Sequence, residues 1–178
     1  MKKSSGRLSF LSYLIFWPYF MLNQLYLYLF RRSAEEHAID EIWPGIFLGC
    51  QLFEHDRELI SSKGIKGTLD VTSEFGEANF ILESHDYLNI PLVDTCAPTT
   101  EQLVKAVDWL SKQQSKGPIF IHCAVGHGRS ATIAAAFMVK ENLASSADEA
   151  LRVIKKIRPS VGLKPSQMAA LETYVESI

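Results

Sequence analysis

The run His122-Cys123-Ala124-Val125-Gly126-His127-Gly128-Arg129-Ser130 brings a thiol, two glycines, a guanidinium and a hydroxyl into nine consecutive residues. The apolar run Ile119-Phe120-Ile121 precedes it and an alanine-rich stretch follows, so the pattern predicts a strand that enters a short loop and a helix that leaves it. Such a loop makes an anion pocket. Gly126 and Gly128 tolerate unusual backbone angles that turn amides inward, and the helix adds its positive N-terminal end. The same field favours a thiolate, which ionises there well below the free cysteine value of about 8.5 and becomes a nucleophile at neutral pH. Arg129 adds a permanently charged planar fork for two oxygens of a tetrahedral oxyanion such as phosphate.

These residues need a frame, and the sequence after Arg32 reads as an α/β domain. Strands are expected over Gly45 to Leu48, Gly67 to Thr72, Tyr87 to Pro91 and Pro118 to His122. The last is wholly apolar, as in a sheet covered on both faces. Helices are expected over Phe53 to Lys63, Thr100 to Lys116, Ser130 to Asn142, Ser146 to Ile157 and Pro165 to Ser177. Thr99 with Gln102, and Ser146 with Glu149, have capping-box spacing. The expected architecture is a central, mostly parallel sheet of four to five strands flanked by helices, and no internal repeat is present.

The stretch also resembles the cysteine-dependent phosphatases, whose signature H-C-x-x-G-x-x-R-[ST] is met by His122, Cys123, Gly126, Arg129 and Ser130. The resemblance runs from Ile42-Trp43-Pro44-Gly45-Ile46-Phe47-Leu48-Gly49 to Arg158-Pro159 and Gln167, and is closest to the compact dual-specificity branch. It leaves out the first 32 residues. It implies that Cys123 displaces the substrate oxygen to form a cysteinyl-phosphate while an acid protonates the leaving group. Asp94, 29 residues ahead of Cys123, stands where the family keeps that acid. Ser130 is then expected to stabilise the departing thiolate. The backbone from Ala124 to Arg129, including Val125, His127 and Gly128, is expected to hold the phosphate. Arg158 and Gln167 match positions expected to support packing and the loop. No metal and no cofactor is implied.

Two roles rest on the residues themselves. His122, at the end of a buried strand, points away from the nucleophile and is expected to fix the loop rather than act as a base. His127 is expected to face solvent or substrate. Cys96, two residues past Asp94, is read as a small hydrophobe in preference to a protective disulfide partner of Cys123.

From Leu8 to Phe30 no Asp, Glu, Lys, Arg or His occurs, and Arg7 and Arg31-Arg32 bound the segment. A run of that length exceeds the roughly 20 residues that span a bilayer, so a membrane anchor over 1–32 is expected ahead of a catalytic domain over 33–178. Trp17-Pro18 near its middle predicts a kink or a shallow in-plane insertion. A buried core helix is the bland alternative, and the segment is too long for a signal peptide. Basic residues on its two sides are nearly balanced. A low-pKa thiol keeps best in a reducing compartment, so a cytoplasmic catalytic body is expected.

Composition narrows the rest. The 178 residues carry 18 basic and 20 acidic side chains, net −2. Five of the basic ones fall within the first 32 positions, which leaves 13 basic against 20 acidic beyond them. An acidic body argues against a nucleic-acid partner. Cys50, Cys96 and Cys123 form no C-x-x-C pair, so neither a disulfide framework nor a zinc finger is encoded. Gly126-x-Gly128-x-x-Ala131 satisfies a dinucleotide fingerprint, but the acidic residues at the required distance, Asp148 and Glu149, fall inside a predicted helix instead of after a second strand. A catalytically dead phospho-binding adaptor is disfavoured by the intact Cys123, Asp94, Arg129 and Ser130. The loop holds no lysine, which disfavours a polyphosphorylated headgroup. Phosphotyrosine and phosphoserine or phosphothreonine proteins at a membrane are the expected substrates, with a singly phosphorylated lipid as the alternative.

Overall fold

The structure is a computed structural model that describes residues 6–7, 10–33, 36–84 and 86–178, with the backbone alone at 10–13, 33 and 84. The start of the apolar segment at Leu8 and the basic pair Lys2-Lys3 lie outside the described residues. In chain order the elements are α1 (Phe10–Ser33), β1 (Ile39–Trp43), β2 (Ile46–Gly49), a 3₁₀ turn (Glu54–Asp56), α2 (Arg57–Ser62), β3 (Gly67–Thr72), α3 (Asn79–Ser84), β4 (Asp86–Leu92), α4 (Thr100–Gln114), β5 (Ile119–His122), α5 (Arg129–Lys140), α6 (Ala147–Ile157) and α7 (Pro165–Glu176).

One five-stranded sheet runs in the order β1-β2-β5-β3-β4. The neighbours β2–β5, β5–β3 and β3–β4 are parallel, whereas β1 pairs antiparallel with β2. The sheet is therefore mixed. β1 was not among the expected strands: its Ile39-Asp40-Glu41-Ile42-Trp43 sequence is half polar, as suits an edge strand with one wet side.

Alternation along the strands divides the core into two layers. Ile119 and Ile121 of β5, with Ile46 and Leu48 of β2, face α4 to α7. Phe120 and Phe47 face the other way, toward Ile60 of α2 and Phe80 and Ile81 of α3. The fully apolar β5 run follows from this double coverage. α5 is the innermost helix: its residues from Arg129 to Met138 are all buried. Small side chains at Ala134, Ala135 and Ala136, each fully buried, allow its neighbours to approach closely.

The predicted helix starts hold where a cap is present. Thr99 Oγ1 accepts from Gln102 N at 3.2 Å and Gln102 Oε1 accepts from Thr99 N at 2.9 Å, closing the box. At α6 only half of the expected box forms. Ser146 Oγ accepts from Glu149 N at 3.2 Å, but the Glu149 carboxylate reaches back one residue further, to Ser145 N at 2.7 Å. The stretch expected as one helix from Phe53 to Lys63 begins instead as the 3₁₀ turn, because the Asp56 carboxylate turns back to accept from Phe53 N at 2.7 Å.

The membrane-spanning expectation is corrected. Among the described residues no helix is long and apolar enough to cross a membrane. α1 is broken at Phe16, whose φ of −108° and ψ of 17° are not helical, two residues before Pro18. Proline withholds an amide and crowds the preceding turn. Tyr19, Asn23, Gln24, Tyr26 and Tyr28 further dilute the apolar run.

Gly49, at the end of β2, is where the backbones crowd: a Cβ there would sit 2.1 Å from the Ala38 carbonyl oxygen. Gly49→Ala is expected to lower stability by about 1–3 kcal/mol or more, read as an earlier urea midpoint. An unchanged midpoint would show that the β1–β2 corner yields freely.

Candidate active site

Since β2, β5, β3 and β4 are mutually parallel, their carboxyl ends open at one edge, the usual place for a site in an α/β sheet. Gly49 ends β2, and Cys123, Glu74 and Asp94 follow β5, β3 and β4 in turn.

The loop after β5 is held by its carbonyls. Ala124 O accepts from Gln51 N at 3.1 Å, Val125 O from Arg158 Nη2 at 3.2 Å, and His127 O from Gly162 N at 3.2 Å. A planar peptide whose carbonyl points outward sends its N–H the other way, so these contacts turn the amides of residues 125, 126 and 128 into the loop. Gly126 N accordingly donates to Cys123 Sγ at 3.2 Å. Of the two loop glycines only Gly126 is left-handed, at φ +83°, and a Cβ there would lie 2.6 Å from Gly49 O. Gly128 has φ −108°, so its expected unusual backbone is not found. It matters for space, since a Cβ would come within 3.1 Å of Gln167 Oε1.

Cys123 is buried, and Ser130 Oγ donates to its Sγ at 3.2 Å. Burial pushes the thiol pKa up. The Arg129 guanidinium, the Ser130 hydroxyl and the Ser130 and Gly126 amides more than offset this and leave it below the ordinary thiol value. Cys50 is the contrast: burial dominates there and pushes the thiol to about 11. Cys96 is exposed, which corrects its reading as a packed small hydrophobe.

Arg129 is buried and its fork is gripped from behind. Nη1 and Nη2 bond to Glu74 Oε2 and Oε1 at 2.9 and 2.7 Å, and Nη1 also bonds to Leu92 O at 3.0 Å. Burial pushes the Glu74 carboxyl up, and its bond to Arg129 pulls it net below the usual carboxylate range. The sequence reading missed Glu74. Its signal was position: β3 lies beside β5, and Glu74 is two residues past the end of β3. Asp94 Oδ1 lies 3.1 Å from Arg129 Nη2 with its side chain 74% exposed, at the mouth of the site. It sits in a turn closed by Cys96 N to Val93 O at 3.1 Å, where Thr95 has a φ of +63° that a β-branched residue seldom adopts.

His122 is fully buried and stacks on Phe120, ring centroids 5.1 Å apart. Its Nε2 donates to Glu77 Oε2 at 2.8 Å, and Gln51 Nε2 donates to Glu77 Oε1 at 3.0 Å. Asp70 closes the network, accepting from Thr72 Oγ1 at 2.7 Å and Tyr87 OH at 2.6 Å. One ligand atom from each of Asp70, Glu77 and His122 falls within 4.8 Å of the others. Donors already occupy the carboxylates, so the cluster braces the base of the loop. His127 departs from its expected exposure to solvent or substrate. Its Nε2 meets Glu36 Oε2 at 2.7 Å and its ring meets Phe30 edge-on at 5.6 Å. Arg158, also bonded to Asp40 at 2.5 Å, and Gln167, which donates to Cys96 O at 3.2 Å, support the loops around the site.

A thiol and an arginine on a loop between the central parallel strand and a buried helix define a cysteine-phosphatase fold. The chain matches the sequence profile of the dual specificity phosphatase catalytic domain over residues 46–177 and belongs to that family. It is 35% identical over 139 residues to dual specificity protein phosphatase 16 of Homo sapiens, covering 77% of this chain and 21% of that protein. It is 31% identical over 153 residues to phosphatidylglycerophosphatase and protein-tyrosine phosphatase 1 of Homo sapiens, covering 80% and 74% respectively. Among solved structures, PTPMT1 in complex with PI(5)P superposes with a TM-score of 0.72 at 26% identity, over 79% of this chain and 96% of that one. Tk-PTP in its active form shares the fold, with a TM-score of 0.73 at 22% identity over 79% and 98%.

The lowered Cys123 pKa has a direct readout. Inactivation by iodoacetate tracks the thiolate, so its rate should be half-maximal at a pH below the ordinary cysteine value of about 8.5. Ser130→Ala should move that midpoint upward. A midpoint at or above the free-thiol value would mean that the loop does not stabilise the anion.

Proposed function

We propose that this chain hydrolyses phosphate monoesters through a cysteinyl-phosphate. The observation that carries the reading is the buried Cys123 sulfur, 3.2 Å from both Gly126 N and Ser130 Oγ, with its pKa lowered. Phosphate enters the loop between residues 124 and 129 with its oxygens on the inward amides and Arg129. Cys123 Sγ attacks phosphorus, the bond to the leaving oxygen breaks, and Asp94 gives that oxygen its proton. Asp94 then takes a proton from water as water attacks the phosphoenzyme, and Ser130 stabilises the thiolate that departs.

The dual-specificity relatives and the lysine-free loop support singly phosphorylated substrates, with phosphoproteins the reading favoured by the sequence. A singly phosphorylated lipid is favoured by a separate observation: Leu14, Phe16, Trp17 and Met21 of α1 are each more than half exposed. We place α1, with the rest of 1–32, in the plane of a membrane surface and residues 33–178 beside it as the catalytic unit, in a reducing compartment.

Cys123→Ser should abolish turnover while tungstate still binds. Asp94→Asn should slow phenyl phosphate by about 10²–10⁴ and p-nitrophenyl phosphate far less, since only the poorer leaving group needs the proton. Equal losses on the two esters would remove Asp94 from the mechanism. In flotation with phosphatidylglycerol vesicles the full chain should rise with the lipid, and the double variant Phe16→Ser, Trp17→Ser should stay at the bottom. Identical behaviour of the two would rule out in-plane attachment.

A further inference from the structure

α1 turns a stripe of Asn23, Leu27 and Phe30 toward the body, and Tyr19 and Tyr26, 52% and 62% exposed, flank that stripe at its open edge. The end of the helix is clamped. Arg31 makes a bidentate ion pair with Asp56 at 2.7 and 2.8 Å, and Leu27 is fully buried against Cys50 and Phe75. Ala124 and Val125 of the phosphate loop pack against the same cluster. As a result, Tyr19, Asn23, Tyr26 and Leu27 line one wall of a cleft of about 220 Å³ whose other walls include Glu74, Asp94 and the loop residues Ala124 and Val125.

In the reaction proposed above, Asp94 must reach the leaving-group oxygen, so the leaving group lies on the Asp94 side of the loop, against α1. The wall there is made of phenol rings and Leu27, with one amide, Asn23, whose Nδ2 already donates to Tyr19 O at 2.8 Å. No basic side chain lines this cleft among the described residues, and two carboxylates do. A second phosphate would find no counter-charge among the side chains that line it. A peptide would bring backbone donors and acceptors for which this wall supplies few partners. Beyond the cleft, Leu22 continues the apolar surface at 66% exposure.

We propose that α1 is the leaving-group wall of the active site and that it takes the chain-bearing part of a singly phosphorylated lipid. The inference rests on the phosphatase reading and extends it to a substrate class. A role of α1 as a membrane anchor alone is separated from it by using monomeric substrate without vesicles. The full chain is assayed on diacyl phosphatidates with acyl chains of two to six carbons, each below its micellar concentration, and on p-nitrophenyl phosphate and a phosphotyrosine peptide. For the parent chain kcat/KM should climb about tenfold with acyl length, close to the gain expected from burying two methylenes. The double variant Tyr19→Ala, Tyr26→Ala should flatten that climb, lowering the ratio of the six-carbon ester to p-nitrophenyl phosphate at least about fivefold. Leu25→Ser, outside the cleft, should keep the parent ratio. A flat length profile in the parent chain, an equal loss on both esters in the double variant, or a loss confined to the phosphopeptide would each overturn the proposal. Absence of turnover on p-nitrophenyl phosphate by the parent chain would instead overturn the phosphatase reading, and the wall with it.

Discussion

A nucleophilic sulfur buried at the end of the central strand is the constraint that the rest of the molecule serves. An unpaired charge in so dry a place costs several kcal/mol, so Cys123 is tenable as a thiolate only because donors converge on it. A helix start, two amides, one hydroxyl and one guanidinium do so. Each donor needs its own support. The amides face inward because Gln51, Arg158 and Gly162 hold the loop carbonyls outward. The guanidinium stays in place because Glu74 holds both of its terminal nitrogens.

The supports form two separate buried polar groups. Arg158 lies 3.1 Å from Glu36, Glu36 meets His127, and His122 meets Glu77. Burial drives the Glu36 carboxyl up, while the Ser160 amide, His127 and Arg158 bring it net below the usual range. Paired charges of this kind add little net stability compared with apolar packing, but removing one partner strands the other. Their consequence is geometric: they fix where the loop is, while the two apolar layers fix that there is a sheet.

That division explains what could be read from the residues alone. β3 was legible to the residue because Thr68, Leu69, Val71 and Thr72 favour a strand between turn signals, and the strand before Cys123 nearly so because Ile119-Phe120-Ile121 is apolar on both faces. The nucleophile loop was legible because its chemistry is contiguous in the chain. Glu74, Glu77 and Glu36 were not, since they come from loops 55, 45 and 91 residues away from their partners in the sequence, and a lone glutamate in a loop looks like any solvated charge. β1 was missed because an edge strand may carry polar residues. The apolar N-terminal run misled for a different reason. Its length met the requirement for a bilayer span, but its aromatic rings and the break at Phe16 serve a helix that has one side on the protein.

The alanines of α5 have a further consequence. Because Arg129 and Ser130 open a helix that is enclosed on every side by strands and by α4, α6 and α7, the reactive groups cannot be retuned without disturbing the centre of the molecule. α1, by contrast, is fastened among the described residues through a short stripe and the Arg31–Asp56 ion pair. A change in the exposed part of α1 therefore leaves the buried loop and the start of α5 undisturbed.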